Sequence, residues 1–428
     1  MYAGETSCLA GREKIRMTAE ELAASRRYVG PVVRLAIACR VSPVAMARIS
    51  VGFAVIAAGW LSLGSARADA IALGAAIAVF VAVYVGQVLG DQAPASAVDW
   101  GLTACGLLGE LFIYAGIAAG VSLKNVSAAP SGPLGQALKG TFVAGLGGVG
   151  TAGVWRLAVI AVVVAALVPM ADICLHAPSD AGRRPRIFGP SGDVRLPLTV
   201  AVVLLAGVRA GFLIVLVLGV AAVGAMMIDS LRPGWRPVQA RGYRGDGRVS
   251  VWIGGWVAGR IPPLAPLFVG LLVTGVLAAL GLRNLPGALL LTPVEAMLLA
   301  SFGSWNPHEG RGDWLVPPLI QAAEYVFLAE AGFALRLWPP WTFALVAAAG
   351  FRHLDLAYRV RCGLASGIDR RGLGWEGRMI VVGVAAAAGG LIVVYPALTV
   401  YLWWLNARDW IVGWSANGLS AGHAAVDR

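Results

Sequence analysis

The chain alternates between long apolar segments and short polar stretches. Apolar segments of bilayer-spanning length fall at about 45–64, 69–90, 101–121, 154–174, 196–209 and 211–228, and again at about 264–281, 285–303, 315–335, 340–358, 377–393 and 394–412. This pattern predicts an all-α, polytopic integral membrane protein with 10–12 transmembrane helices, six in each half. The number of transmembrane helices is given as a range because the fifth and sixth segments of each half are compatible with one long run or two short spans.

Ionisable residues recur in the same order in both halves. Asp99-Trp100 precedes Glu110 as Asp313-Trp314 precedes Glu324, and Asp172 precedes Asp193 as Asp355 precedes Glu376. Charged groups are costly near the core of a bilayer, so a matched series of acids indicates a repeated module more strongly than matched apolar runs do. An even number of spans in each copy gives both the same orientation, which predicts two parallel six-helix repeats.

The spacing of the matched residues also predicts the domain boundaries. We expect an N-terminal leader at 1–39, a first repeat at 40–229, a linker at 230–259, a second repeat at 260–412 and a tail at 413–428. The offset between matched residues is 214 at Glu110 and Glu324 but 183 at Asp172 and Asp355, so the first repeat carries about 31 additional residues near 122–153.

Composition and charge agree with a membrane location. Of the 428 residues, 58% are hydrophobic and 13% charged, and the net charge is +11. Basic residues concentrate in the leader, the linker and alternate loops, which predicts that both termini are cytoplasmic. The preference for arginine over lysine suggests a high-GC bacterium and hence the plasma membrane. No nucleic-acid-binding module is evident in the sequence.

The first half resembles the CDP-alcohol phosphatidyltransferases. The residues that carry the resemblance are Arg40-Val41-Ser42-Pro43 before the first span and the run from Glu110 to Ala118 in the third. Members of that family are six-helix membrane enzymes that move a phospho-alcohol group between a cytidine nucleotide and an acceptor alcohol. The resemblance covers about residues 40–230.

The second half resembles an uncharacterised actinobacterial membrane domain, found at the C-terminal end of multidomain proteins that also contain phosphatidyltransferase domains. The resemblance covers nearly all of residues 260–412 and is the more specific of the two. It is carried by four stretches: His308 to Pro318, Arg352-His353-Leu354-Asp355, Tyr358-Arg359 and Gly374-Trp375-Glu376-Gly377-Arg378.

The catalytic signature of the phosphatidyltransferases is incomplete in both halves. In that family, a D-x-x-D-G-x-x-A-R motif followed by D-x-x-x-D holds two divalent ions beside the pyrophosphate. Aligned through Trp100 and Glu110, the last two acids fall on Leu102 and Gly106 in the first half, and the equivalent positions of the second half are Val316 and Ile320. We therefore expect that both metal sites are lost and that no cofactor is bound.

A dense set of polar residues nevertheless persists in the second half. Candidates for catalysis are His308, Glu309, Asp313 and Asp355, and candidates for substrate binding are Arg311, Arg352, Arg359, Arg378, Glu324 and Glu376. In one interpretation these residues form ion pairs between helices, with Arg378 paired to Asp355 and Asp313 to Arg311 or Arg359. In the other, the arginines bind an anionic head group in a cavity that faces the cytosol.

Three functional hypotheses follow. The first is a diverged, non-catalytic phosphatidyltransferase-like protein of phospholipid or glycolipid head-group metabolism, whose partners are membrane lipids and either a second copy of the chain or a membrane enzyme. The second is an active CDP-alcohol phosphotransferase, dependent on Mg²⁺ or Mn²⁺, with a rebuilt site in the second half. The third is a transporter of a small molecule or lipid.

Overall fold

The computed structural model describes residues 30–39, 41–90, 95–124, 150–175, 195–232, 243–257, 264–281, 288–304, 312–361, 369 and 371–426. Over these residues the chain forms fourteen α-helices and one 3₁₀ turn, and no strand. In the first half the helices are α1 (Gly30–Ala38), α2 (Pro43–Ser62), α3 (Ala66–Gly90), α4 (Ala95–Lys124), α5 (Gly150–Leu175), α6 (Arg195–Ala206) and α7 (Val208–Ser230). In the second half they are α8 (Arg248–Val257), α9 (Leu264–Gly281), α10 (Ala288–Ser304), α11 (Val316–Ala334), α12 (Pro339–Arg361), α13 (Gly374–Ala387) and α14 (Leu391–Val426). The all-α fold is therefore confirmed.

Each half contains one short helix followed by six longer ones, in the same order. The packing of the helices is also repeated. In the first half α2 packs on α3 and α4, α3 packs on α6, and α1 packs on α3. In the second half the corresponding contacts are those of α9 with α10 and α11, of α10 with α13, and of α8 with α10. The additional residues of the first half fall between α4 and α5, where 125–149 lie outside the described residues.

The fifth and sixth segments of each half are separate helices. Gly207, at φ 96°, separates α6 from α7, and Gly389, at φ 71°, lies between α13 and α14. A left-handed conformation at these positions favours glycine, so the two breaks are encoded by residue type. In the second half the sixth helix begins at Leu391 and continues without a break to Val426. The expected tail at 413–428 is thus largely a continuation of α14.

Five helices of the first half are long and apolar enough to cross a bilayer, judged over the described residues: Pro43–Ser62, Ala66–Leu89, Gly101–Leu123, Gly150–Leu175 and Val208–Ser230. The spans in α4 and α5 are mostly buried within the protein, whereas only 33–39% of each span in α2, α3 and α7 is buried. Because exposed apolar side chains such as Val220 on α7 are favourable only in contact with lipid, this is a membrane protein.

Small residues allow the first-half helices to approach closely. Gly116 and Gly120 on α4 form a G-x-x-x-G pair against α2, and a Cβ at Gly116 would lie 2.6 Å from the backbone of Ala58. Where α2 begins, Ser42 accepts a hydrogen bond from the Ala45 amide and Pro43 occupies the first turn. Such glycine contacts are a common means of helix association in lipid.

Contacts divide the chain into two compact units. The first contains residues 1–242 with the short segments 309–314 and 358–364, and the second contains 243–308, 315–357 and 365–428. The first unit thus holds α1 to α7, and the second holds α8 to α14 apart from the end of α12. The domain boundaries expected from the sequence stay a prediction.

Candidate functional site

A buried glutamate and a buried arginine form the same pair in both halves. On α4 and α6, Arg195 Nη2 donates to Glu110 Oε1 at 2.9 Å. On α11 and α13, Arg378 donates from Nε to Glu324 Oε1 at 2.6 Å and from Nη2 to Glu324 Oε2 at 3.1 Å. These are the residues that the repeat offsets match. The pair therefore fixes the third long helix to the fifth in each copy.

Further matched positions support this correspondence. Tyr114 on α4 meets Phe212 on α7 with ring centroids 6.1 Å apart. At the matched positions of the second half, Tyr395 Oη donates to the carbonyl of Leu328. The two matched positions are therefore in contact in both halves, through aromatic rings in the first half and through a tyrosine hydroxyl in the second. The offset of 183 also relates Trp155, at the start of α5, to Trp338, which precedes α12.

The second half adds a histidine and a tyrosine to the Glu-Arg pair. Arg378 Nη2 donates to His353 Nε2, and His353 Nδ1 lies 2.8 Å from Tyr325 Oη. Because Nε2 accepts a hydrogen bond, a neutral imidazole carries its proton on Nδ1 and donates it to the tyrosine. Glu324 Oε2 is also within 3.4 Å of His353 Nε2. These four side chains are buried and form one continuous network.

Asp369 extends the network to a second arginine. It accepts from Arg352 through both oxygens, at 3.1 Å and 2.9 Å, and it caps the amide of Gly372 at 2.8 Å. Arg352 also donates to Asp409 at 2.6 Å. Burial raises the pKa of Asp369, but the hydrogen bonds and charge of Arg352 outweigh it and hold the pKa below its usual range. Asp369 is therefore ionised at neutral pH.

Glu376 holds the first turn of α8. Its carboxylate accepts from the amide of Val249 at 2.9 Å, the amide of Ser250 at 2.7 Å and the hydroxyl of Ser250 at 2.6 Å. The first amides of a helix have no partner within the helix and carry a partial positive charge, so a carboxylate there is stabilising. Gly247 allows this approach, because a Cβ at that position would overlap the Glu376 side chain.

A cavity of about 90 Å³ lies beside this network. Its lining includes Tyr243, Gly247, His353, Asp369, Trp375 and Glu376. The lining thus combines both polar clusters with the segment that leads into α8. Trp375 is 4% exposed, and within the described part of the chain its indole N–H has no hydrogen-bond acceptor.

The structure brings several predicted site residues together. Glu324, Arg352, Glu376 and Arg378 all lie in the network or at its edge, and Asp355 is buried on α12. The partners of Arg378 are Glu324 and Asp369, where the sequence suggested Asp355. Five other candidates are placed elsewhere or not described. Asp313 is half-buried in the 3₁₀ turn, Arg359 is near the end of α12, and His308, Glu309 and Arg311 lie outside the described residues.

The positions of the expected family acids are apolar and buried. Leu102 and Gly106 lie within α4, and Val316 and Ile320 lie on α11. Among the residues that the structure describes, no group of three or more His, Cys, Asp or Glu side chains converges as metal ligands.

Sequence reasoning missed several members of the site. Tyr325, Asp369 and Asp409 were not singled out, and neither was Ser250. The available signal was the rarity of acids in the C-terminal region, where Asp409 is an isolated acid shortly after a long hydrophobic run.

Comparison with known proteins identifies the second half alone. Residues 245–426 match a family of unknown function, DUF5941. The match begins three residues before α8 and ends with α14, so it takes in the short helix as well as the six long ones. No curated protein and no solved structure matches the chain. The second half is thus similar to a family of uncharacterised domains, as expected from its sequence.

Proposed function

We propose that this protein is a diverged, non-catalytic membrane protein with a phosphatidyltransferase-like architecture. It serves phospholipid or glycolipid head-group metabolism as a lipid-binding or partner subunit. Its partners are membrane lipids and either a second copy of the chain or a membrane enzyme. It resides in the bacterial plasma membrane with both termini in the cytoplasm, and it requires no cofactor.

The observation that carries this proposal is the engagement of the acid on the third long helix in both halves. Both carboxylate oxygens of Glu324 accept hydrogen bonds from Arg378. One oxygen of Glu110 accepts a hydrogen bond from Arg195, and the other accepts one from Tyr114 Oη at 3.0 Å. Two divalent ions beside a pyrophosphate need several carboxylates whose charge is not already neutralised. These two carboxylates serve helix packing instead.

The network in the second half supports the same reading. Arg352 and Arg378, the arginines expected to bind an anionic head group, already have carboxylate partners at hydrogen-bond distance. A phosphate would have to displace a buried carboxylate, which would then remain charged without a partner. Direct phosphate binding by these two arginines is therefore disfavoured.

The test is release of CMP from a CDP-alcohol by the purified full-length protein in detergent, with Mg²⁺ or Mn²⁺. We expect no release above the rate without protein, with an active phosphatidyltransferase in the same detergent as the positive control. Metal-dependent release that disappears in Asp313→Asn and Asp355→Asn, in folded and monodisperse samples, would establish the active-transferase alternative in its place.

A further inference from the structure

The large apolar side chains of α8 face away from the protein. Its inner face consists of small residues: Ser250 is buried, and a Cβ at Gly254 would lie 2.7 Å from the carbonyl oxygen of Ser301 on α10. On its outer face, Trp252 and Trp256 are 65% and 78% exposed. A helix on the surface of a protein in water normally has the opposite arrangement, with its apolar side on the core and its polar side in solvent. The outer face of α8 therefore fits an environment that is not bulk water.

The composition of the outer face indicates which environment this is. Arg248, Trp252 and Trp256 are four residues apart, so they lie on the same side of α8. The two indole rings meet edge to face, with their centroids 5.7 Å apart. Arg248 is exposed, and no carboxylate in the described part of the chain forms an ion pair with it. Tryptophan rings are enriched at the membrane–water interface, where a neighbouring arginine reaches the lipid phosphates.

The place of α8 in the second half agrees with a position at that interface. Gly254 contacts Ser301 and Ser304, so α8 packs beside the last two turns of α10. The exposed side chains of α10 are apolar and include Leu290, Leu291, Val294 and Leu298. The ten residues of α8 extend for about 15 Å, half the thickness of a bilayer core of roughly 30 Å. α8 is therefore too short to cross the bilayer, and its outer face continues an apolar surface at one end of α10.

The first half repeats this arrangement. Its short helix α1 packs on α3 as α8 packs on α10. Leu35 and Ile37 of α1 are exposed, whereas the small residue Ala36 between them is buried. Large apolar side chains thus point outward from the short helix of both copies, which indicates a property of the repeat and not of one surface patch.

We propose that α8 is an interfacial helix whose outer face lies in the head-group layer of the bilayer, with Trp252 and Trp256 at the boundary with the acyl chains and Arg248 among the lipid phosphates. The partner of this surface is the lipid leaflet itself. Gly247 and Arg248 also line the cavity beside the polar network, so the cavity lies at the level of the head groups. The proposal goes beyond the proposed function and rests only on the membrane location and the contacts of α8.

The test is the depth of a nitroxide spin label at Val251→Cys, next to the tryptophans on the outer face. It is measured by electron paramagnetic resonance in nanodiscs of phosphatidylcholine and phosphatidylglycerol, with full-length protein whose five native cysteines are replaced by alanine. Accessibility to oxygen reports the acyl region, and accessibility to the water-soluble chelate Ni-EDDA reports the aqueous phase. We expect oxygen to dominate at a depth of about 5–10 Å into the leaflet, and more strongly still for Val294→Cys on α10.

Two results would overturn the proposal. A label at position 251 that is more accessible to Ni-EDDA than to oxygen places the outer face of α8 in water. A label that is accessible to neither reagent places that face against protein, such as a second copy of the chain. This measurement leaves both tryptophans in place, so it does not depend on the folding of a tryptophan variant.

A double variant tests the contribution of the indole rings. Trp252→Ser with Trp256→Ser removes them from the outer face and keeps the contacts of the inner face, so the label at position 251 should shift toward water and gain accessibility to Ni-EDDA. The matched control is Trp338→Ser with Trp341→Ser, which removes another edge-to-face pair, at 6.2 Å, near the start of α12 and should leave the label depth unchanged. No shift in the first double variant, or an equal shift in both, overturns the role of the indoles. CMP release would overturn the proposed function and leave the depth of α8 unaffected.

Discussion

Removal of Arg378 should destabilise the protein more than removal of its counterpart Arg195. Arg378 is fully buried and donates to Glu324, Asp369 and the carbonyl of Gly372. Arg378→Gln leaves Glu324 buried and charged with no cation beside it. Breaking a buried ion pair by removing one partner costs about 3–5 kcal/mol, and the number of lost contacts places Arg378→Gln at the upper end of that range.

The first half supplies the matched change. Arg195 is 8% exposed and donates to a single oxygen of Glu110, at 2.9 Å. The other oxygen of Glu110 accepts from Tyr114, so the carboxylate keeps one partner when the arginine is lost. We therefore expect Arg195→Gln to cost about 3 kcal/mol, near the lower end of the same range.

Double variants test whether the arginines act through their carboxylates. Replacing both members of a pair by glutamine removes both charges and allows the amides to bond to each other. The double variant should therefore be more stable than the sum of the single changes predicts, by about 1–3 kcal/mol. Unfolding by SDS in dodecyl maltoside micelles, followed by circular dichroism, measures each free energy. Additive costs, or an Arg378→Gln cost below about 1 kcal/mol, would refute the reasoning.

Three further predictions concern single contacts. Gly116→Ala places a methyl against the backbone of Ala58 and should lower the free energy of unfolding by about 1–3 kcal/mol in the same SDS titration. The control is Gly59→Ala, whose added Cβ meets nothing within 4 Å and which should be neutral or stabilising. Glu376→Gln weakens the cap on α8, so amide hydrogen exchange in α8 should become faster while exchange in α11 is unchanged. Equal exchange rates for α8 in wild type and variant would contradict the capping role. Because the pKa of Asp369 is depressed, its contribution to stability is fully present above the ordinary carboxyl value of about 4 and is lost as pH falls through the lower folded pKa. Asp369→Asn should therefore reduce the loss of unfolding free energy between neutral and acidic pH. An unchanged pH dependence in the variant would exclude this role of Asp369.

Much of the fold was predictable because membrane insertion imposes a strong sequence pattern. The lengths of the apolar segments predicted where the long helices lie. The matched acids identified residues that occupy equivalent positions in the two copies. Glu110 and Glu324 were found this way, and Arg378 was among the residues expected to bind substrate or to form an ion pair. Sequence could not assign the partners, since a pairing between helices depends on how they cross and not on spacing along the chain.

The helix ends were less predictable than the helices. The expected sixth span of the second half stopped at 412, yet α14 continues to Val426, because a helix does not have to end where the apolar run ends. The positive φ of Gly207 and Gly389 separated spans that hydrophobicity alone left joined. Glycine at the junction of two apolar runs was the available signal, but 56 glycines make it ambiguous in this chain.

Comparing the two halves separates what the scaffold needs from what was added to it. The Glu-Arg pair occurs twice, so it belongs to the helix crossing that both copies share. The network of His353, Tyr325, Arg352 and Asp369 was found in the second half, where apolar Met170, Leu111 and Pro169 stand at the three matched positions that the structure describes in the first. Each of these polar side chains has a hydrogen-bond partner in the network, so the second half connects α11, α12 and the segment before α13 by polar contacts where the first half has apolar side chains. This polar network is therefore a feature of the half that matches an uncharacterised family, and it is separate from the Glu-Arg pair that both copies share.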